Sequence, residues 1–311
     1  MDGRPPGLVL LNPAAGGRRG LARWRRAEGA VAAACEPRVV RTDLAGAWRC
    51  AVRDAIADGT RFFIAAGGDG TASALADELA RARGRVRLGD LTVGAVGLGS
   101  SNDFHKPYGR TVGGVPVRLD RSDERRDVCV ARYTAPDGTA HDRCFIISAS
   151  VGVVAEANAF FNGGDGPERW LRGRWTGGAI LYAALHTIGA WRNLALRLRS
   201  ADGTRRTEVT SLSVSKTPFV SGMFRYDRSV APDDGLLAVH LCEGMSRDEA
   251  LRALVDLARG RFAGRPKRRH WNSRRFAVAA PGPVALELDG EVVQARRVVF
   301  GVLREQVRVC R

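Results

Sequence analysis

A strand that runs into a glycine-rich loop and then a helix is the feature that most constrains the fold of this chain. Residues 62–66 are apolar, Gly67-Gly68-Asp69-Gly70-Thr71 follows them, and the pattern predicts a helix from about residue 72 to 83. Glycines let a backbone approach a phosphate closely or adopt positive φ, and a helix N-terminus offers unpaired N–H groups. The segment therefore predicts an anion site, and a tight turn without a ligand is the alternative.

The same succession of elements recurs over the first hundred residues. Apolar strands are predicted at 8–11, 38–41 and 92–96, and helices at 19–34 and 44–58. This alternation predicts a parallel sheet covered by helices, in which the carboxyl ends of the strands meet at one crevice. Two further loops are then expected beside the first, Asn12-Pro13-Ala14-Ala15-Gly16 and Gly97-Leu98-Gly99-Ser100-Ser101-Asn102-Asp103.

After about residue 127 the pattern changes to short strands in succession. They are predicted at 127–133, 143–150, 194–200, 208–214, 236–241, 274–279, 284–288 and 296–300. Turn sequences separate several of them, which is typical of an antiparallel sandwich. Helical stretches are predicted near 153–193 and 246–263, and the Gly-, Arg- and Trp-rich segment 162–178 predicts a loop or lid. The fold class is therefore an α/β domain with a parallel sheet, followed by an antiparallel β-sandwich domain.

Several kinds of site are not supported by the motifs. No lysine follows a glycine, so a Walker A loop is excluded, and Asn102 stands where a Rossmann fingerprint has its third glycine. The six cysteines form no CxxC pair, which predicts reduced thiols rather than a disulfide framework. The five histidines lack the spacing of a zinc site.

Taken together, the motifs resemble those of the diacylglycerol kinase catalytic family, which includes bacterial lipid kinases, sphingosine kinases and ceramide kinases. In chain order they are Asn12-Pro13-x-x-Gly16, Gly67-Gly68-Asp69-Gly70-Thr71, Gly99-Ser100-Ser101-Asn102-Asp103-Phe104, Asp233-Asp234-Gly235-Leu236-Leu237 and Asp289-Gly290-Glu291. Ser100 replaces the threonine that is usual in the third motif, and His105 stands where alanine is usual. NAD kinases and phosphofructokinases carry loops like the second motif, so the specific signal is the order of all five.

The resemblance implies an ATP-binding domain at 1–127, which residues 295–311 can complete, and a lipid-substrate β-sandwich domain at 128–294. It implies ATP and Mg²⁺ as cofactors. The implied nucleotide contacts are Asn12, Pro13, Gly16, Thr42, Gly67, Gly68, Asp69, Gly70, Thr71, Ser100, Asn102 and Asp103.

The resemblance also implies a structural Mg²⁺ and a general base in the second domain. The Mg²⁺ is expected near Asp234, with the carbonyls of Ala231 and Leu236, and a hairpin turn is the alternative for this segment. The base is expected at Glu291, with Asp289 as the alternative, and Asp69 is a third catalytic candidate that can act through a metal or as an acid or base.

The expected activity is transfer of the γ-phosphate of ATP to a hydroxyl group on a lipid, with diacylglycerol, a sphingoid base and ceramide all open as acceptors. A soluble-substrate kinase related to NAD kinase and a non-catalytic nucleotide- or anion-binding relative are the alternatives. An apolar set is consistent either with an acyl-chain pocket or with a helix core face: Trp170, Leu171, Trp175, Ile180, Leu181, Tyr182, Leu185, Ile188 and Trp191.

The charge of the chain predicts anionic partners. Its net charge is +16, and only three of its 49 basic residues are lysine. A peripheral, salt-sensitive contact with an anionic membrane surface is therefore expected. Nucleic acid is not an expected partner, because no helix-turn-helix or RNP pattern is found. No run of about 20 apolar residues and no signal-peptide core is present, which predicts a cytoplasmic protein. Homodimer formation is left open.

Overall fold

The structure is a computed structural model that describes residues 3–43, 46–163, 176–201 and 203–311. The chain forms two compact units, Met1–Val128 with Arg304–Arg311, and Cys129–Leu303. The prediction ended the first domain at residue 127 and allowed residues from 295 onward to complete it; in the structure the returning segment begins at Arg304.

The first unit is built from alternating strands and helices. Its elements are β1 (Pro6–Leu11), α1 (Ala15–Arg18), α2 (Gly20–Ala34), β2 (Glu36–Arg41), α3 (Ala47–Ala57), β3 (Phe62–Gly67), α4 (Asp69–Arg81), β4 (Thr92–Gly97), β5 (Thr111–Val112) and β6 (Val115–Arg118). Strands β2, β1, β3 and β4 lie side by side in that order, and all of these pairs are parallel. The predicted parallel sheet is confirmed.

Burial explains why these segments form the centre of the sheet. Every residue of β3 and β4 is buried, as expected for parallel strands that are covered on both faces. Helix α2 packs on the sheet through Trp24, Ala27 and Val31, whose spacing of three and four residues places them on one face. Burying a side chain the size of Val31 contributes about 1.5–3 kcal/mol, so this apolar face stabilises the helix against the sheet.

The second unit contains the remaining elements. They are β7 (Arg125–Thr134), β8 (Ala140–Phe145), β9 (Ser148–Gly152), α5 (Val153–Gly163), α6 (Thr176–Ala190), β10 (Leu194–Ser200), β11 (Gly203–Ser215), β12 (Phe219–Val220), β13 (Phe224–Arg225), β14 (Leu237–Glu243), α7 (Arg247–Ala258), β15 (Arg268–Ser273), β16 (Arg275–Leu288) and β17 (Glu291–Val309). Strand β7 begins in the first unit, and β17 ends there. Helix α7 opens with a capping box formed by Ser246 and Glu249.

Two long strands, β11 and β16, each pair with several antiparallel strands of the second unit. The first half of β11 pairs with β10, and its second half lies between β9 and β14. Strand β16 likewise pairs with β10 near its start and with β9 near its end. Leu212, Leu286 and Phe300 are fully buried in the core that these strands enclose. The predicted antiparallel β-sandwich is confirmed.

Some predicted element boundaries are wrong. The segments 274–279 and 284–288 belong to one strand, β16, whose register against β17 shifts between Ala279 and Val284. The segment 296–300 is the middle of the longer β17. Strand β15 has the sequence RRHWNS, which contains no apolar run, and it was not predicted. The predicted lid segment is largely outside the described residues, which resume at Thr176.

Among the described residues, no helix combines the length and the apolar character that crossing a membrane requires.

Candidate functional site

Three loops of the first unit begin at the carboxyl ends of neighbouring strands. They follow β1, β3 and β4, and the backbone N–H of Leu98 donates to the carbonyl of Gly67 at 2.8 Å. Thr42, just after β2, donates its N–H to the Leu11 carbonyl at 2.9 Å. The structure therefore brings all the predicted nucleotide-contacting residues to one edge of this sheet.

The second loop is shorter than predicted, because α4 begins at Asp69 rather than near residue 72. Asp69, Gly70 and Thr71 thus form the first turn of the helix, with Gly68 as its N-cap. Gly68 has φ −93°, so of the two roles expected for a glycine here, close approach and positive φ, only close approach applies. Glycine is needed here for space, since a Cβ on Gly68 would lie 3.2 Å from the Cα of Gly99.

The first loop contains the left-handed glycines. Gly16 has φ 60° and Gly17 has φ 69°, values that side chains disfavour. A Cβ on Gly16 would lie 2.5 Å from the Leu98 carbonyl oxygen, so the first and third loops are in close contact. Asn12 accepts a hydrogen bond from the Ala14 N–H at 3.0 Å and donates to the Thr71 hydroxyl at 3.3 Å.

Asp69 fastens the second loop to the third. Its carboxylate accepts hydrogen bonds from the backbone N–H groups of Asp103 and Phe104, both at 3.0 Å. Both oxygens are therefore engaged by the third loop. In this structure the predicted catalytic aspartate acts as an acceptor that orders the neighbouring motif.

Asn102 shapes the third loop from within. It is buried and has φ 48°, in the left-handed region that asparagine tolerates better than most residues. Its side-chain oxygen accepts from the Gly99 N–H at 3.1 Å, and its amide group donates to the Gly99 carbonyl at 3.0 Å. These bonds leave Ser100 exposed on the loop, where its hydroxyl can meet a ligand.

Asp103 forms a buried ion pair that the sequence reading missed. The Lys106 ammonium lies 2.8 Å from its carboxylate, and the two side chains are only 9% and 6% exposed. Next to them, the Arg126 guanidinium lies 4.6 Å from the centre of the Phe104 ring. Two basic side chains, Lys106 and Arg126, thus contact residues of the third loop.

His105 occupies the position where the family that the motifs resemble usually has alanine. Burial, together with the charges of Arg118 and Arg126, lowers the pKa of His105 to about 3. The imidazole is therefore neutral at physiological pH.

Arg23 is a second residue that the sequence reading missed. Its guanidinium donates to the carbonyls of Leu98 and Gly99 at 2.9 and 2.6 Å. The available signal was its place in the first turn of α2, the helix that follows the first loop. Arg23 ties α2 to the third loop and adds positive charge to this edge.

The Asp289-Gly290-Glu291 turn joins β16 to β17 in the second unit. Asp289 is 3% exposed and accepts three backbone hydrogen bonds, from Ile146 at 2.8 Å, Ile147 at 3.0 Å and Ser148 at 2.7 Å. Its carboxylate therefore anchors the turn to the segment before β9.

Glu291, two residues later, has a different environment. Its side chain is 54% exposed and forms an ion pair with Arg143. The turn between the two acids is held by Glu287, which accepts from the Gly290 N–H at 2.5 Å, and by Asn162, which donates to the Gly290 carbonyl at 2.7 Å. Arg143, Glu287 and Asn162 were not predicted.

The Asp233-Asp234-Gly235 turn holds a lysine at the predicted cation site. The Lys216 ammonium donates to the Asp234 carboxylate at 2.8 Å and to the Leu236 carbonyl at 2.7 Å. Burial opposes ionisation of Asp234, but the hydrogen bonds from Lys216 and from the Leu236 N–H, together with the Lys216 charge, outweigh it and hold the pKa of the carboxyl below its ordinary value. Ala231 is exposed in the segment before the turn.

The apolar set near α6 divides between core and surface. Ile180 and Ile188 pack in a cluster with Phe262, whereas Leu181 is 37% exposed and Leu185 is 45% exposed. Helix α6 packs against α7. Leu251 and Val255, on α7, are exposed. Trp170, Leu171 and Trp175 are outside the described residues.

Comparison with known families identifies both parts of the chain. Residues 6–119 match the diacylglycerol kinase catalytic domain, and residues 148–311 match the YegS C-terminal NAD kinase beta sandwich-like domain. The chain is 26% identical over 274 residues to "Probable lipid kinase YegS-like" of Stenotrophomonas maltophilia (strain K279a), covering 83% of this chain and 81% of that protein.

Solved structures share the fold. A diacylglycerol kinase from Bacillus anthracis str. Sterne is 15% identical with a TM-score of 0.63, over 99% of this chain and 95% of that one. A second structure from this strain, described as a candidate diacylglycerol kinase, is 16% identical with a TM-score of 0.70, over 98% of this chain and 97% of that one. At these identities the likeness concerns the fold alone.

Proposed function

The chain belongs to the diacylglycerol kinase catalytic family, and from this premise we propose that it transfers the γ-phosphate of ATP to a hydroxyl group of a lipid. Membership places it in the lipid kinase family and supports a phosphotransferase activity. ATP as the donor, Mg²⁺ with the nucleotide, and a lipid alcohol as the acceptor belong to the proposal.

The observation that carries the proposal is the linkage of three loops by the motif residues themselves. Asp69 holds the third loop, and Asn12 reaches Thr71. Since these side chains bind one another, a ligand meets glycine backbone and the first turn of α4. Backbone N–H groups and a helix N-terminus are suited to phosphate oxygens.

Phosphoryl transfer also needs positive charge and a group that accepts the proton of the attacking hydroxyl. No Walker lysine is available, so arginines close to the loops, such as Arg23, provide charge. We assign the base to Glu291 rather than Asp289, because Asp289 is buried and already accepts three N–H groups. The ion pair of Glu291 with Arg143 is largely exposed and costs little to rearrange when a substrate arrives.

Contact with a lipid surface is supported by charge and by exposed apolar side chains. The net charge of +16 favours anionic lipid, at about 1 kcal/mol for each basic residue near the surface. Leu181, Leu185, Leu251 and Val255 lie exposed on the packed helices α6 and α7. We propose that this pair of helices meets the membrane.

The decisive experiment supplies labelled ATP and a total lipid extract, and identifies the labelled product. A phosphorylated lipid supports the proposal, whereas labelling of NAD with no lipid product would replace it with the soluble-substrate alternative. If neither is labelled while the protein binds ATP, the non-catalytic alternative is favoured. Vesicle flotation tests the surface contact: binding should need anionic lipid, weaken in high salt, and fall further in the Leu185→Ser/Val255→Ser double variant.

A further inference from the structure

The Asp233-Asp234-Gly235 turn departs from the arrangement that the resemblance implies. That arrangement places a Mg²⁺ between Asp234 and the carbonyls of Ala231 and Leu236. In this chain the Lys216 ammonium lies within hydrogen-bonding distance of two of these three groups, 2.8 Å from the Asp234 carboxylate and 2.7 Å from the Leu236 carbonyl. The side chain of Lys216 is completely buried.

A divalent cation does not fit beside this ammonium. Mg²⁺ requires its oxygen ligands at about 2.0–2.1 Å and in near-octahedral geometry. The Asp234 oxygen that accepts from Lys216 also accepts the Leu236 N–H at 3.0 Å. Two cations sharing the same carboxylate and carbonyl would repel each other strongly at such short separation. The residues present therefore provide a site for one positive charge, and Lys216 supplies it.

The backbone of Lys216 connects this turn to the segment that holds Asp289. Lys216 follows directly after β11, and its N–H donates to the Ile147 carbonyl at 2.9 Å. The N–H of the same Ile147 donates to Asp289 at 3.0 Å. Lys216 thus joins the Asp234 turn to the anchor of the Asp289-Gly290-Glu291 turn through a single residue.

We propose that the Lys216 ammonium replaces a structural metal ion in this protein, so that the Asp234 turn is fixed in place without a divalent cation. Burying an ammonium is costly unless it is paired. Asp234 and the Leu236 carbonyl provide the pairing, and the carbonyl accepts without adding a second negative charge. This inference concerns the turn alone and does not depend on the proposed reaction.

The first test uses the nucleotide-free wild-type protein. Its thermal midpoint should be the same in EDTA and in Mg²⁺, and electron paramagnetic resonance should detect no Mn²⁺ bound at this turn. Saturable Mg²⁺ stabilisation or Mn²⁺ binding that disappears in Asp234→Asn would overturn the proposal. Mn²⁺ binding that persists in Asp234→Asn belongs to another site and leaves the proposal standing.

The second test removes the ammonium and keeps the stem. Lys216→Met should lower the thermal midpoint by about 5 °C or more, because the Asp234 carboxylate and the Leu236 carbonyl both lose the buried ammonium that donates to them. The matched control is Lys267→Met. Lys267 also bonds to a carboxylate, Glu249 at 2.6 Å, and to a carbonyl, Gly244 at 3.0 Å, but its side chain is 44% exposed.

The Lys267→Met control should shift the midpoint by no more than about 2 °C, as expected for a surface pair. Equal small shifts in the two variants would contradict the proposal. If Lys216→Met does not fold, the wild-type metal measurements decide the question alone.

Discussion

Two aspartates, Asp69 in the first unit and Asp289 in the second, hold a neighbouring loop in the same way, but the groups beside them differ. Asp69 accepts two backbone N–H groups from the third loop, and Asp289 accepts three from residues 146–148. Next to Asp69 lie Gly68 and Gly70, whose backbone contacts the ligand in the function that we propose. Two residues after Asp289 lies Glu291, which offers an exposed carboxylate. A motif aspartate can thus build the site while its neighbours act on the ligand.

The largest effect is expected from Glu291→Gln, which removes a base without changing shape. General bases contribute about 10²–10⁴-fold to rate, so kcat should fall by this factor while the Kd for MgATP stays unchanged. Steady-state kinetics with the identified lipid and calorimetric titration of MgATP measure the two quantities. A near-normal kcat would reduce this segment to a simple β-turn, and the base would then be sought at Asp69, Asp103 or Asp289.

The two anchoring aspartates should differ in their effect on stability. Asp289→Asn should lower the free energy of unfolding by about 2–4 kcal/mol, since an amide cannot accept from all three buried N–H groups. Asp69→Asn should cost about 1–2 kcal/mol, because Asp69 is only half-buried and accepts two N–H groups. Urea unfolding measures both.

The same pair of variants also separates the units by nucleotide affinity. Asp69→Asn should weaken MgATP binding because it loosens the third loop, whereas Asp289→Asn should leave the Kd for MgATP unchanged. Equal effects on MgATP binding would mean that the anchors do not act locally.

A smaller effect is expected where backbone meets ligand. Gly68→Ala places a Cβ 3.2 Å from the Cα of Gly99, so the second and third loops must separate by a few tenths of an ångström. MgATP affinity should fall by about tenfold, equivalent to about 1.4 kcal/mol. Gly70→Val, with a branched side chain in the first turn of α4, should weaken binding further than Gly68→Ala does. Gly84→Ala is the control, because a Cβ there meets open space; unchanged affinity in Gly68→Ala would remove this loop from the site.

The last comparison concerns pH, and each unit contributes one buried histidine. Burial first, together with nearby positive charge, lowers the pKa of both His105 and His240 to about 3. Between pH 6.5 and 3 the unfolded chain binds protons that the folded protein does not, so stability falls as pH falls. Each histidine adds a slope of about 1.4 kcal/mol per pH unit within this window.

His105→Ala and His240→Leu should each reduce this slope by the amount that one histidine contributes. This holds even if the substitution also changes the free energy of unfolding at neutral pH. Urea unfolding at several pH values measures the slopes. A slope that is unchanged in His105→Ala would mean that this imidazole titrates normally in the folded protein.

Much of the architecture could be predicted because the buried strands have simple patterns. Strands β3 and β4 are buried along their whole length and read as apolar runs, and β10 alternates and was predicted at its observed bounds. Strand β15 could not be predicted, since an edge strand with polar side chains has neither an apolar run nor an alternating pattern. Strand β16 was divided because Pro281-Gly282-Pro283 reads as a turn, although it produces only a shift of register.

The motif positions could also be read from the sequence, but their contacts could not. A motif shows that Asp69, Asp289 and Asp234 are special, but not which distant backbone or side chain each one binds. Lys216 illustrates this, because its partner Asp234 is 18 residues away along the chain. One signal was present: Lys216 is one of only three lysines and directly follows a strand that ends in seven buried residues.

The return of β17 to the first unit has a consequence for the order in which the protein can fold during synthesis. Arg308 and Cys310 donate their N–H groups to the carbonyls of Leu91 and Val93, and so complete the edge of β4. These residues leave the ribosome only after the whole second unit has been made. Until then β6 pairs with Ala95 and Val96, but Thr92 and Val93 lack their partner strand, and an unpaired strand edge is a surface on which chains can aggregate. The sheet of the first unit is therefore completed only after the second unit has been synthesised.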